Sequence, residues 1–399
     1  MIKFSLAAAA LLLLPAVTRA DPALDTANAV LARTPVIDGH NDTPEQLREL
    51  FGNDFSKFDL KGLPTDVLAK THTDIPTLRA GHVGGQFWSV WIDAKLPRHE
   101  AVTTVLEQID TVEQMVARYP ETFALARTST DVEVAMKKGR IASLIGMEGG
   151  HSIASSLAVL RQIYRAGARY MTITHFLTTD WADSATDAPK HDGLAPFGVE
   201  VIREMNRIGM IADLSHVSEA TMGDVLDISS TPVLFTHSNA RAITGHPRNV
   251  PDTILKRLPA NGGVVMVTFV PSYLSQIVRE WESERVAERA KAKALNPGDP
   301  KAADAAVAAW AAANPEPRAT IADVANHIDH IRKVAGIDHI GIGGDFGGTD
   351  SLPDGLGTVA TYPALFAELV RRGYSREELG KIAQGNVLRV MRAVEKAKQ

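Results

Sequence analysis

The chain has no cysteine. That absence removes disulfides, zinc–thiolate sites, iron–sulfur clusters and thiol nucleophiles together, so any metal must be held by His, Asp or Glu. Basic excess is also lacking. The 42 Lys and Arg stand against 47 Asp and Glu, a formal net charge of −5, and no nucleic-acid partner is expected of such a balance. There is no G-x-S-x-G nucleophile elbow and no internal repeat, so serine-hydrolase chemistry has no support. Beyond residue 20 no apolar segment approaches the roughly 20 residues needed to cross a bilayer.

The one extended apolar run opens the chain, as MIKFSLAAAALLLLPAVTRA. Lys3, the stretch Phe4–Leu14 and the small residues around Thr18 and Ala20 have the pattern of a cleaved secretory signal at 1–20. The mature protein is therefore expected in the periplasm, without stable membrane insertion. The remainder, with 45% hydrophobic and 22% charged residues overall, has the composition of a packed globule.

Eight short apolar runs bounded by Gly, Pro or polar clusters read as strands buried on both faces of a parallel sheet. They are Pro35–Asp38, Gln86–Ile92, Ile141–Met147, Tyr170–Thr174, Met210–Leu214, Pro232–Thr236, Gly263–Phe269 and His339–Gly343. Helical spacing fills the intervals, as in Ala101–Tyr119, Ser155–Ala166, Phe197–Ile208, Glu219–Ile228 and Ile321–Ala335. Strict alternation without a linker predicts one (β/α)₈ TIM barrel over 21–399. The longest interval holds Glu280–Leu295, a break at Asn296–Pro300, and Ala302–Ala313. This helical insertion at about 280–318 is read as a surface hairpin, ahead of a lid or a dimer contact.

A barrel of this kind carries its chemistry at the C-terminal ends of the strands. The residues after the runs are Asp38-Gly39-His40-Asn41-Asp42, Glu148-Gly149-Gly150-His151, His175, Asp213-Leu214-Ser215-His216, His237-Ser238-Asn239 and Gly344-Asp345. His-x-Asp at a strand end sends both side chains to one face and makes a nitrogen-plus-oxygen clamp. The pattern also occurs at His72/Asp74 and His327/Asp329. There Asp74 reads as a helix N-cap, and the second pair as part of a solvated helix face. Thus His40, Asp42, Glu148, His216 and His237 are the candidate ligands, enough for two divalent ions with one bridging carboxylate. Imidazole-rich sites suit zinc or a similar metal. His151 reads as a loop residue, and Asp38 and Asp213 as supports or structural groups.

Eight segments now carry a resemblance. VIDGHND, TDIPTLRAGHVGGQFWSVW, LIGMEGGHS, YMTITH with WADSATDAP, NRIGMIADLSHVS, FTHSNARAITGHPRNVPD and HIGIGGDFGG together resemble the membrane (renal-type) dipeptidase family, from about Thr34 to Glu395. The resemblance implies a metal-dependent hydrolase barrel with two Zn²⁺ that cleaves dipeptides, often with a D-residue second. It makes His40 and Asp42 ligands of one zinc, His216 and His237 of the other, and Glu148 the bridge. It further implies that His175 contacts the scissile carbonyl, that Arg248 holds the terminal carboxylate, and that Asp345 is the acid/base. A homodimer is the weaker implication. Three places depart from the family pattern: Gly347 replaces an Asp, Phe176–Asp180 replaces polar residues with Pro, and Thr43-Pro44-Glu45 stands where an apolar or aromatic residue is frequent. Two rival readings share these residues: a barrel amidohydrolase for N-acyl-D-amino acids or another small amide, and a metal-retaining binding module without catalysis.

Overall fold

The computed structural model describes residues 21–399, and the expected leader at 1–20 lies outside them. Among the described residues there are nine parallel strands. They are β1 (Val36–Asn41), β2 (Val83–Trp91), β3 (Phe123–Leu125), β4 (Ile141–Glu148), β5 (Ala168–Thr172), β6 (Ile211–Asp213), β7 (Leu234–Phe235), β8 (Val264–Val267) and β9 (Ile340–Ile342). The order β2-β1-β9-β8-β7-β6-β5-β4, closed by a β2–β4 pairing from Gly85↔Ala142 to Trp91↔Glu148, is a complete eight-stranded ring. Each of the eight apolar runs supplies one strand of the (β/α)₈ barrel. The ninth, β3, lies outside that prediction. It pairs with Ile141–Ser143 at the start of β4, whereas β5 joins β4 only from Ile145. Three residues are too few to show a period.

Closure follows from side chains that fill the ring. Ile37, Phe87, Leu144, Tyr170, Ile211, Leu234 and Met266 belong to one buried cluster, each from a different strand. Val387, Val390, Met391 and Val394 of the last helix, Asn386–Ala397, join the same cluster. A second and larger cluster packs the surrounding helices on the outer faces of the strands. Burial on both faces explains why the strands read as continuous apolar runs rather than alternating ones.

Local signals agree with this frame. Asp74 caps the helix Ile75–Ala80 in a capping box with Thr77. The helix Ile321–Val334 ends at Gly336, whose φ of 97° favours a residue without Cβ. His327 corrects the solvated-face reading: it is fully buried, accepts from Ala240 N at 3.0 Å, and pairs through Nε2 with Leu274 O at 3.0 Å. Its helix is thereby tied to the loop after β7 and to the segment after β8. The insertion forms two helices, Gln276–Leu295 and Pro300–Ala313, joined by a tilted Trp281–Trp310 contact. No helix among the described residues is long and apolar enough to cross a membrane.

Candidate metal centre and substrate pocket

β1 and β4 end in ligands directly. His40 lies in β1, at a register shift between Asp38 and Asn41, and Glu148 is the last residue of β4. His175, His216, His237 and Asp345 stand a few residues past β5, β6, β7 and β9. His216 and Asp345 have φ of 71° and 63°, a conformation costly for a side-chain-bearing residue and concentrated at functional sites. Closure of the ring brings all of them together, and all are buried.

The two oxygens of Glu148 face different partners. Oε2 lies 3.4 Å from His40 Nε2, which is itself 3.4 Å from Asp42 Oδ1. Oε1 lies 3.1 Å from His216 Nε2 and 3.3 Å from His237 Nε2. Donors bonded at about 2.1 Å around one tetrahedral ion stand roughly 3.4 Å apart, so these separations suit two ions that share Glu148. Other groupings overlap with this one: His40, Asp42 and Asp345 offer atoms within 4.8 Å of one another, as do Glu148, His175 and His216.

Outer hydrogen bonds fix the imidazole tautomers. Tyr170 Oη donates to Gly39 O at 3.1 Å and therefore accepts from His40 Nδ1 at 3.0 Å. Thr236 Oγ1 donates to Asp213 Oδ2 at 2.8 Å and so accepts from His237 Nδ1 at 2.9 Å. Both Nε2 atoms then turn a lone pair toward Glu148, the arrangement of a metal-ligating histidine. His175 is the opposite case. The Trp91 indole, a donor only, gives its proton to His175 Nδ1 at 3.1 Å, which leaves Nε2–H as a donor. His175 is built to donate into the pocket rather than to ligate.

Electrostatics support a cation here. Burial opposes charge on Glu148, yet His40, His175, His216 and His237 outweigh it and hold the carboxyl well below the usual range. Burial likewise opposes charge on His40, but Tyr170, Glu148 and Asp42 raise it well above the ordinary imidazole value. The negative charge around His40 Nε2 thus favours a cation there, and a metal would displace the proton that otherwise competes for that lone pair. Burial and nearby cations keep His216 and His237 neutral. Their Nε2 atoms approach to 2.8 Å, while Asp42 Oδ1 and His216 Nδ1 are buried without hydrogen-bond partners. An oxygen-and-imidazole donor set with converging lone pairs fits zinc.

Above the cluster lies a pocket of about 180 Å³, lined by Glu45, Trp91, His175, Arg248, Tyr273 and Asp345 among others. It shares Phe176, Val270, Tyr273 and Gly348 with an outer vestibule of about 840 Å³. Trp281 and Arg285 of the insertion wall that vestibule, so the helical hairpin borders the entrance. Arg248 is buried, donates from Nη2 to His237 O at 3.3 Å, and leaves Nε and Nη1 without partners. Its guanidinium carbon stands 5.3 Å from the Tyr273 ring centre. Burial pushes Asp345 up to about 8, with Asp42 and Glu148 adding to the effect and His40 and Arg248 opposing it. Burial lowers His175 to about 4, and Glu148 only partly restores it. Burial together with Asp42 and Glu148 raises Glu45 to about 9.

Of the three departures, Glu45 and Phe176 line the pocket, and Leu177–Asp180 border a separate hollow beside His151. Gly347 has φ of 87°, and a Cβ there would meet the Asp42–Thr43 backbone at 3.1–3.3 Å. Its loop is pinned by His72, whose Nδ1 accepts from Gly347 N at 3.1 Å. Asp38 accepts from His40 N at 2.8 Å and is bonded by Tyr362, which links β1 to the helix Tyr362–Arg371. Tyr170, Trp91 and Tyr273 are contributors that the strand-end reading does not identify. Replacing Tyr170 by Phe is expected to weaken metal binding about 10- to 100-fold, read by titration against a competing chelator; unchanged affinity would show that Tyr170 does not orient His40.

Comparison with known proteins places this geometry. A family model described as membrane dipeptidase (peptidase family M19) matches residues 24–399. A protein of Schizosaccharomyces pombe named as an uncharacterized dipeptidase is 41% identical over 383 residues, which is 92% of this chain and 83% of the relative. The crystal structure of the probable dipeptidase PvdM from Pseudomonas aeruginosa superposes with a TM-score of 0.79 at 24% identity, covering 94% of this chain and 99% of that one. A metallo peptidase from Rhodobacter sphaeroides, liganded with a phosphinate mimic of the dipeptide L-Ala-D-Ala, gives 0.74 at 22% identity, covering 90% and 99%. The two structures share the fold, while the family match and the yeast relative carry the assignment: the chain belongs to the membrane dipeptidase family, peptidase family M19, and is a metallo-dipeptidase.

Proposed function

We propose that this dipeptidase uses two zinc ions bridged by Glu148, with His40 and Asp42 on one and His216 and His237 on the other. The observation that carries this reading is the division of the Glu148 oxygens between the two sets of donors. Such a metal pair supplies Lewis acidity and a water acidified to near neutral pH.

The chain's own residues then perform the rest. Arg248 offers two unpartnered donors to the substrate's terminal carboxylate, a planar fork suited to bidentate pairing. With that end anchored, His175 Nε2–H is placed to hydrogen-bond the scissile carbonyl oxygen as negative charge develops on it. Asp345 takes the proton of the attacking water and delivers it to the departing amine, a two-way role for a carboxyl whose affinity for a proton is raised by burial. The Rhodobacter protein's L-Ala-D-Ala mimic supports tolerance of a D-residue at the second position. The leader-like residues 1–20 support export to the periplasm.

Chelation of the purified protein is expected to abolish hydrolysis, and two equivalents of zinc to restore it. Mass spectrometry of the metal, beside a panel of L,L- and L,D-dipeptides, a tripeptide and N-acetyl amino acids, tests the reading. Cleavage confined to N-acetyl amino acids would move the substrate, and full activity without metal would overturn the mechanism.

A further inference from the structure

Glu45 is a carboxyl group without an assignment inside the pocket; burial and the negative charge of Asp42 and Glu148 raise its proton affinity, and a cation bound beside it restores the charged form. It is the third residue of the helix Thr43–Phe51, whose N-cap is the candidate ligand Asp42. An acidic residue in a first helical turn is stabilising, but that role is met by a solvated side chain. Glu45 instead lines the inner pocket with Asp42, Glu148 and Trp91, and among the described residues it has no hydrogen bond or ion pair. Arg48, one turn along, acts on it only at a distance. Four carboxyl groups therefore line the pocket, Asp42, Glu148, Asp345 and Glu45, and Glu45 alone has no role in the metal centre or the proton transfer.

The pocket is polarised. Glu45 enters it from the helix after β1 and Arg248 from the loop after β7, with β9 and β8 between them in the ring, and no ion pair joins the two among the described residues. A dipeptide anchored by its carboxylate at Arg248 directs its first residue away from that cation. The α-ammonium is fixed by covalent geometry about 2.5 Å from the scissile carbon, and so lies over the cluster itself. Glu45 stands three residues past Asp42, about 4.5 Å of helical rise farther on. A long first side chain directed away from Arg248 extends toward this part of the pocket wall.

We propose that Glu45 is a specificity-determining residue that selects dipeptides whose first residue carries a cationic side chain, as in lysyl and arginyl dipeptides. This rests on the dipeptide reading of the pocket given above. Lysine and norleucine differ in the terminal charge but present the same α-ammonium, so their comparison isolates the side-chain contact.

The test is the ratio of kcat/KM for Lys-Ala over norleucyl-Ala, in the zinc-loaded wild-type protein and in Glu45→Gln, Glu45→Leu and Glu45→Lys. Affinities of phosphinate mimics carrying the same two side chains give a second readout that does not depend on turnover. The wild-type ratio is expected to be about tenfold or more, the gain from a charge-assisted hydrogen bond. It should fall to near one in Glu45→Gln and Glu45→Leu, and Glu45→Lys should turn the preference toward Asp-Ala. A wild-type ratio near one, or a ratio unchanged in a folded variant with full zinc content, overturns the proposal alone. Failure of the zinc-loaded wild type to cleave or bind any dipeptide overturns the dipeptide reading, and this proposal with it.

Discussion

Asp345→Asn is expected to lower kcat by about 10²- to 10⁴-fold, the usual worth of a positioned acid/base, while the protein retains its full metal content. The substitution keeps the size of the side chain and removes its ability to take up a proton. Its backbone anchor, Asp345 N to His40 O at 3.2 Å, does not involve the carboxyl group. Asp345 lies close enough to His40 and Asp42 to meet a water at the cluster. Gly348 keeps the approach open, since a Cβ there would come within 2.4 Å of Asp345 Oδ1 and 2.5 Å of Asp42 Oδ2. Near-normal turnover in Asp345→Asn would sink the acid/base role. Loss of zinc together with turnover would show that Asp345 holds metal instead.

Arg248→Met is expected to reduce kcat/KM on dipeptides by about 30- to 5000-fold, from the roughly 2–5 kcal/mol lost when one partner of a buried, hydrogen-bonded charge pair is truncated. The volume is nearly kept, so the effect isolates charge and donors. Two unpartnered nitrogens on a buried guanidinium are unfavourable in the free protein and are satisfied by a carboxylate. The same substitution should erase discrimination between a dipeptide and its C-terminal amide, which the wild type should cleave far less well. Arg248→Lys should not rescue, because a point charge does not replace the planar fork. An intact preference for the free carboxylate in Arg248→Met would contradict the assignment.

How much of the fold and the site is legible in the sequence depends on the range of the interactions. Eight strands are readable because burial on both faces writes them as apolar runs. The cluster residues are readable because a barrel gathers at one end the residues that stand just past its strands. His327 is the opposite case: Val324, Ile328 and Ile331 mark the buried stripe of its helix, and His327 falls within that stripe, a position that contradicts a solvated face. Tyr170 cannot be tied to His40, 130 residues away, before the ring is closed. Its alternation with Thr172 on one face of β5 is the available signal. Trp91 looks unimportant in the sequence because it cannot ligate metal, yet its indole sets the tautomer of His175. Arg248 sits in a loop with no period, and only its burial and orphaned nitrogens distinguish it from a surface cation.

Anomalous diffraction at the zinc edge from crystals of the zinc-loaded protein tests the shared-carboxylate centre most directly. Two peaks are expected, one touching His40 and Asp42 and the other His216 and His237, with one Glu148 oxygen on each. A single peak, or two peaks of which either lies beyond reach of Glu148, would contradict the binuclear centre.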